Sequence, residues 1–363
     1  MPSLASRRIA VAVDVAGCPN RCRHCWLGNP PNRRVSEDVL RWVVRQFRQW
    51  RRPGEAEPFA KPLTVMTWYR EPDCAPDYRH LWELEEELSD KGAAVRFELL
   101  SVWRLARDAE YAPWARGIGT EVCQISFFGL ERITDYFTRR TGSFRDSLVA
   151  TERLLESGIR PRWQLFLTKG VVAELDEFVA LIHSLHLEER SRHLGHDFEV
   201  FVNLPSPDGE AFNIEHLRPT PDVLAALPDY LAEKTRRHYS AGTLEECLGR
   251  PEREWLPELS AEDEPLAPYP DRLTFMVTPD LDVFSNLGEP VPWWRLGNLM
   301  ADGLGWIIHR FERDEVPGLY VSHHVPVSQL ARTYGRTQSR LLYSREDLIL
   351  RWLHQAFLTP GHS

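Results

Sequence analysis

Short apolar runs alternate with amphipathic stretches from the N-terminus to about residue 215, the pattern of repeated β/α units around a parallel sheet. The runs Ile9–Val15, Leu63–Trp68, Val95–Leu100, Val122–Phe127, Arg162–Leu167 and Glu199–Leu204 predict strands. Between them, Ser36–Trp50, Tyr78–Ser89, Val102–Ala115, Ser143–Glu156 and Leu175–Leu185 predict helices. Six such strands are too few for a closed eightfold barrel, so the pattern predicts an α/β fold with an open or partial (β/α)6 barrel. Beyond residue 215 it changes to helices and long loops. The Pro- and Glu-rich stretch from Arg250 to Asp271 reads as a solvated linker or lid. A strand over Arg272–Thr278, a turn and a short strand over Asp282–Ser285 then precede two or three terminal helices. Three parts are expected: a barrel over 1–215, a helical linker or lid over 216–270, and a smaller α+β cap over 271–363.

Alternation along the strands sorts their residues by face. If Ser126 points into the barrel, Gln124 does too, and Cys123 points outward under the helices. Gln164, Phe166 and Thr168 share one face of the fifth run, and Glu199, Phe201 and Asn203 share the same face of the sixth. Buried polar groups are costly unless partnered. Gln164 and Thr168 are therefore candidate cofactor contacts, and Asp14, Glu199 and Asn203 candidate substrate contacts.

Charge narrows the partners. The 363 residues carry 44 Lys and Arg against 53 Asp and Glu, a formal net charge of -9. That balance argues against a nucleic-acid binder held by a basic face and favours a small or neutral partner. No run approaches the ~20 apolar residues of a membrane span, and the N-terminal stretch lacks a secretory pattern. A cytoplasmic protein without nucleic-acid or membrane partners is expected.

Six cysteines are too few for a disulfide scaffold, and three of them, Cys18, Cys22 and Cys25, fall together in GCPNRCRHCWLG. Cys74, Cys123 and Cys247 stand alone. The cluster begins where the first predicted strand ends, at the mouth of the sheet, where α/β sites are built. Thiolates select zinc or iron–sulfur centres. Structural zinc sites usually present two ligand pairs, and this chain has no second pair. His24, lying between two of the cysteines, would have to fold back beside its neighbours to complete a zinc site. Three cysteines without a fourth instead leave one iron of a [4Fe–4S] cluster free of protein ligands, open to another ligand. A non-enzymatic zinc or iron–sulfur module remains the alternative from these residues alone.

The spacing of three residues and then two resembles the signature of the radical S-adenosylmethionine (radical SAM) superfamily. The resemblance implies one [4Fe–4S] cluster on Cys18, Cys22 and Cys25, S-adenosylmethionine chelated at the open iron, and reductive cleavage to a radical that abstracts a substrate hydrogen atom. Tyr69-Arg70-Glu71-Pro72 is similar to the family's Gly-Gly-Glu-Pro turn, with Glu71 and Pro72 matching and Tyr69 and Arg70 departing. Glu71 would receive the methionyl ammonium, Ser126 would approach the ribose or methionyl group, and Arg140 would lie near the cofactor carboxylate. His24, Tyr69 and Arg70 are placed at the cofactor by the same resemblance. The segment VTPDLDVFSNLGEPVPWWRLGNLMADG resembles the hairpin and LGN turn of the SPASM or twitch region, with Ser285 and Asn286 where cysteines would stand. Trp293 and Trp294 are aromatic walls of a substrate pocket or core residues.

The expected fold is thus a partial (β/α)6 barrel of the radical SAM type with a SPASM/twitch-like cap lacking an auxiliary cluster. The first strand begins near residue 9, which leaves no room before it for a peptide-binding domain. A small-molecule or sugar substrate is therefore expected, in natural-product tailoring by epimerisation, elimination or dehydrogenation. A peptide maturase served by a separate carrier protein is the alternative. An external electron donor such as flavodoxin or ferredoxin is implied, and Cys247 is a candidate hydrogen-atom donor.

Overall fold

The computed structural model describes residues 8–67, 69–90, 99–266, 272–285 and 287–358. Among the described residues, ten strands follow in chain order: β1 (Arg8–Val13), β2 (Leu63–Met66), β3 (Val122–Phe127), β4 (Arg160–Phe166), β5 (Glu199–Asn203), β6 (Arg250–Pro251), β7 (Arg272–Val277), β8 (Asp282–Phe284), β9 (Arg295–Asn298) and β10 (Leu342–Tyr343). One sheet has the order β2-β1-β7-β8-β9, a second the order β3-β4-β5, and β6 pairs with β10. β1 is parallel to both β2 and β7, and β3, β4 and β5 are parallel throughout. This is an α/β partial-barrel architecture, as the apolar pattern predicts. Positions 95–98 of the third expected strand lie outside the described residues, while Leu99 and Leu100 are described and belong to no strand.

Each parallel strand buries one face under helices. Ile9, Val11 and Val13 join Leu63, Val65, Leu273, Phe275 and Val277 beneath helix Glu37–Gln49, in one core. Cys123, Ile125, Phe127, Trp163, Leu165, Val200 and Val202 form the other with helices Ser143–Glu156 and Leu175–Ser184. Cys123 is fully buried here, as strand parity requires. Ser36 caps the first helix by accepting from the Val39 amide, which is why the helix starts at Glu37. The expected helix over Val102–Ala115 is instead two, Val102–Leu105 and Tyr111–Gly117.

Two expectations for the C-terminal half are corrected. The sequence predicts that β7 opens a separate cap, but it pairs with β1 along six residues, from Arg8↔Arg272 to Val13↔Val277, and so belongs to the same sheet as β1. β8 and β9 then extend that sheet antiparallel. The stretch from Arg250 is also no solvated linker in its first part. Glu252–Leu259 is a helix, and Glu252 is wholly buried. Its carboxylate meets Arg336 at 2.7 Å and Arg351 at 3.5 Å, so the loop after helix Val327–Tyr334 and the helix Arg345–Leu358 neutralise a charge that reads as solvent-facing in sequence. Among the described residues no helix is long and apolar enough to cross a membrane.

Candidate functional site

The site begins where β1 ends. Asp14 continues the strand, its amide bonding to the Val277 carbonyl at 3.1 Å. The chain then turns through Gly17, whose φ of +87° favours glycine and whose added Cβ would sit 2.2 Å from Asn32 Oδ1. Asn32 holds the next residue from both sides: its Oδ1 accepts from the Cys18 amide at 3.1 Å and its Nδ2 donates to the Cys18 carbonyl at 2.8 Å. Further along, the Arg23 amide bonds to the Phe137 carbonyl at 2.7 Å and the Arg21 amide to the Thr138 carbonyl at 3.4 Å. The last carbonyls of helix Glu131–Thr138 thereby anchor the cysteine loop. Gly209, at φ +56°, lies against the Cys25 and Trp26 carbonyls and closes the loop from the other side.

Cys18, Cys22 and Cys25 line one cavity of about 230 Å³, together with His24, Arg70, Glu71, Gln124 and Ser126. Among the described residues no group of three or more His, Cys, Asp and Glu side chains is arranged to hold a single metal ion. Burial pushes all three thiols well up, Cys25 to about 11. The Glu71 carboxylate and a neighbouring thiol add to the rise at Cys18 and Cys22. The pocket is thus built of groups that disfavour one another's negative charge.

Glu71 sits at the centre of this arrangement. Its Oε2 accepts from Cys18 Sγ at 3.2 Å and its Oε1 from Ser101 Oγ at 2.5 Å. Burial raises its pKa, and the two hydrogen bonds oppose the rise. The two residues that depart from glycine before it are each tied down through their side chains. Arg70 is not among the residues with a positive φ. The Tyr69 hydroxyl donates to the Gly288 carbonyl, which fastens the turn to the segment after β8. Arg70 is buried, ion-paired with Asp14 at 2.8 Å, and donates to the Pro30 carbonyl at 2.8 Å and to Asn32 Oδ1 at 2.9 Å.

The other expected residues divide. Gln124 and Ser126 line the cavity, and both donate to Gln164 Oε1, at 2.6 and 3.3 Å, so the polar inner face of β3 and β4 is real and internally bonded. His24 lies between Phe128 and Phe166, with ring centroids 4.4 and 4.8 Å away, and burial lowers its pKa to about 3. Its Nδ1 is buried with no hydrogen-bond partner among the described residues. Arg140 bonds to Asn20 Oδ1 at 2.6 Å and pairs with Asp146, outside the cavity lining but near enough for its charge to act on Cys22. Thr168 is buried outside the cavity lining.

The substrate candidates are placed elsewhere. Asp14 is occupied by Arg70. Asn203 Oδ1 accepts from the Leu204 amide at 2.8 Å, closing its own strand end. Glu199, at the opposite end of β5, pairs with Arg160 at 3.2 Å in the wall of a separate cleft of about 800 Å³. Cys247 does not reach the cysteine cavity. Its Sγ donates to the Thr243 carbonyl at 3.2 Å within its own helix. Trp293 stacks on Phe357 with centroids 5.2 Å apart, and Trp294 packs against the Met276 and Phe284 cluster. Ser285 is described, and Asn286 lies outside the described residues. The LGN turn is an Asn298-centred cap: its Oδ1 accepts from the Met300 and Ala301 amides at 3.0 and 3.2 Å.

Sequence reasoning misses Asn32 and Ser101. Ser101 follows a predicted strand, the usual place for a site residue, whereas nothing local marks Asn32.

No family model and no curated protein matches the sequence. Solved structures do. The chain is similar to anSMEcpe with bound AdoMet, at a TM-score of 0.50 and 13% identity, covering 96% of this chain and 97% of that one. The neighbours are radical SAM enzymes. The fold is therefore the radical SAM fold. The complex of anSMEcpe with AdoMet and a Cp18Cys peptide matches equally, at a TM-score of 0.50 and 13% identity, over 97% of both chains. SuiB of Streptococcus suis bound to the precursor peptide SuiA is 14% identical over 91% of this chain and 67% of that one, with a TM-score of 0.41. Within the radical SAM fold, the cysteine loop described above occupies the C-terminal end of β1.

Proposed function

We propose that the chain is a radical SAM enzyme, holding one [4Fe–4S] cluster on Cys18, Cys22 and Cys25 and S-adenosylmethionine in the adjoining cavity. The observation that carries this reading is the convergence of three thiols, without a fourth cysteine, on one cavity that also presents Glu71. Three thiol donors and an acidic neighbour suit a cluster with one iron left for another ligand. When bound, the pair supplies reductive cleavage of the sulfonium and a carbon radical able to abstract hydrogen.

This chain's residues prepare the site for that chemistry. Asn32 and the carbonyls of Phe137 and Thr138 fix the cysteine loop before any metal binds. Glu71 offers a carboxylate to the methionyl ammonium, which supports its assignment despite the altered turn. Ser126 and Gln124 offer polar contacts on the cavity floor, and Phe128 and His24 form an apolar wall. Arg140, outside the cavity lining, adds positive charge near the thiolates. An external reductant such as flavodoxin or ferredoxin supplies the electron.

A small-molecule substrate in natural-product tailoring is one reading, supported by the mild acidity of the chain and its confined cavity. Hydrogen abstraction from a peptide is the second, and it is favoured by the anSMEcpe complex, in which a chain of nearly this length holds a peptide. The test of the common chemistry is anaerobic reconstitution with iron and sulfide. The expected result is about four irons per chain and broad absorption near ~400 nm, lost when all three cysteines are replaced by Ala. About eight irons, or a cluster that survives the triple replacement, contradicts the assignment.

A further inference from the structure

We propose that Ser101 is a positioning residue for Glu71, fixing one carboxylate oxygen so that the other faces the cavity; this rests on the reading of the cavity as the S-adenosylmethionine site. Ser101 is almost fully buried and comes from a different segment of the chain than the turn that carries Glu71. Its hydroxyl does two things at once. It donates to Glu71 Oε1 at 2.5 Å and accepts from the Arg104 amide at 3.2 Å, capping the helix Val102–Leu105. A hydroxyl used by the helix as acceptor has its single proton directed elsewhere, and that proton lies on Glu71.

The same short helix grips the rest of the turn. Arg104 Nη2 donates to the Cys74 carbonyl at 2.9 Å and to the Ala75 carbonyl at 3.0 Å, and Arg104 Nε to the Asp73 carbonyl. The Ser101 amide bonds to the Tyr111 hydroxyl at 3.3 Å, which in turn donates to Asp73. Residues 71 to 75 are therefore held by the segment 101 to 111 rather than by glycine backbone of their own. With Oε1 fixed, Oε2 is the oxygen left on the Cys18 side, at the cavity wall. A carboxylate free to rotate would have to be ordered on each binding event, at the expense of affinity.

The test uses the full chain, reconstituted anaerobically, with equilibrium binding of S-adenosylmethionine and of 5′-methylthioadenosine, which lacks the methionyl amino and carboxylate groups. Ser101→Ala is expected to weaken S-adenosylmethionine about fivefold or more and to leave 5′-methylthioadenosine as in the parent. Ser101→Thr, which keeps the hydroxyl and the cap, restores affinity. In a Glu71→Gln background, Ser101→Ala has no further effect. Equal loss for both ligands, or the same additional loss in the Glu71→Gln background, overturns the proposal. Should the Ala variant not fold, Ser101→Cys, of nearly the same volume and with a weak donor, carries the same expectations. A parent protein with a full cluster that binds no S-adenosylmethionine overturns the reading of the cavity as well, and is recognised before any variant is compared.

Discussion

Two residues, Gly17 and Glu71, decide much of the cysteine site. Gly17 has no Cβ, and Asn32 Oδ1 occupies the place where one would go, 2.2 Å away. Gly17→Ala is expected to displace Asn32, free the Cys18 backbone and leave reconstituted iron below about half the parent's, with the far-UV spectrum unchanged because the strands are untouched; full iron content would show that the loop tolerates the shift. Glu71 is the second. Glu71→Gln keeps the shape and removes the charge, and S-adenosylmethionine affinity should fall about tenfold or more, the scale of one charge-assisted hydrogen bond; unchanged affinity in equilibrium binding would remove Glu71 from the ligand site. Cys18, Cys22 and Cys25 are legible in sequence because their spacing is local, and Glu71 because its turn resembles the Gly-Gly-Glu-Pro turn of the radical SAM family. Asn32 and Ser101 are not, because their roles exist only through contacts with Cys18 and Glu71 across the fold. Asp14 and Arg70 are each visible as polar residues at strand ends, yet sequence assigns them separately to substrate and cofactor when they neutralise each other.

At the scale of elements, strand parity is the most dependable guide. It orients Cys123 outward and Gln124, Ser126 and Gln164 inward, as the β3 and β4 contacts have it. Parity fails for Thr168 and Asn203 because both lie at or beyond strand ends, where alternation stops. Charge runs mislead where their partners are distant. Glu215 and Glu252 share Arg336 and Arg351, joining the segment after β5 to the terminal helix. Arg351 is nearly fully buried, and Arg351→Ala leaves buried carboxylates undercompensated, at a cost of about 3–5 kcal/mol in denaturant unfolding; a loss below about 1 kcal/mol would mean that solvent reaches the network. Burial raises the Glu215 pKa, but the Tyr343 hydroxyl, Arg351 and Arg336 outweigh it, and the net shift is downward from 4.5. A depressed carboxylate stabilises the fold above its unfolded pKa and loses that contribution as pH falls. The melting temperature should therefore drop as pH falls below about 4.5 toward the depressed folded value, and less steeply in Glu215→Gln; parallel acid limbs in the two proteins would exclude this residue.

For the whole molecule, the apolar pattern predicts the parallel units as far as β5, because each of them is a local strand followed by its covering helix. It does not predict that β7 returns to pair with β1, since a strand's neighbour is chosen by the tertiary fold and not by its own sequence. That pairing places the hairpin of β8 and β9 beside the turn of Tyr69, whose hydroxyl bonds to Gly288. The C-terminal region and the cysteine loop are thus parts of one structure, and changes in the hairpin should be felt at Glu71. The proposed function requires that this cavity carry out reductive cleavage of S-adenosylmethionine. The direct measurement is 5′-deoxyadenosine formed by the reconstituted, dithionite-reduced chain under anaerobic conditions. The expected result is 5′-deoxyadenosine and methionine in equal amounts from the parent, and neither above background from the protein with Cys18, Cys22 and Cys25 replaced by Ala. A parent that carries a full cluster yet forms no 5′-deoxyadenosine, or a triple variant that forms as much as the parent, would contradict it.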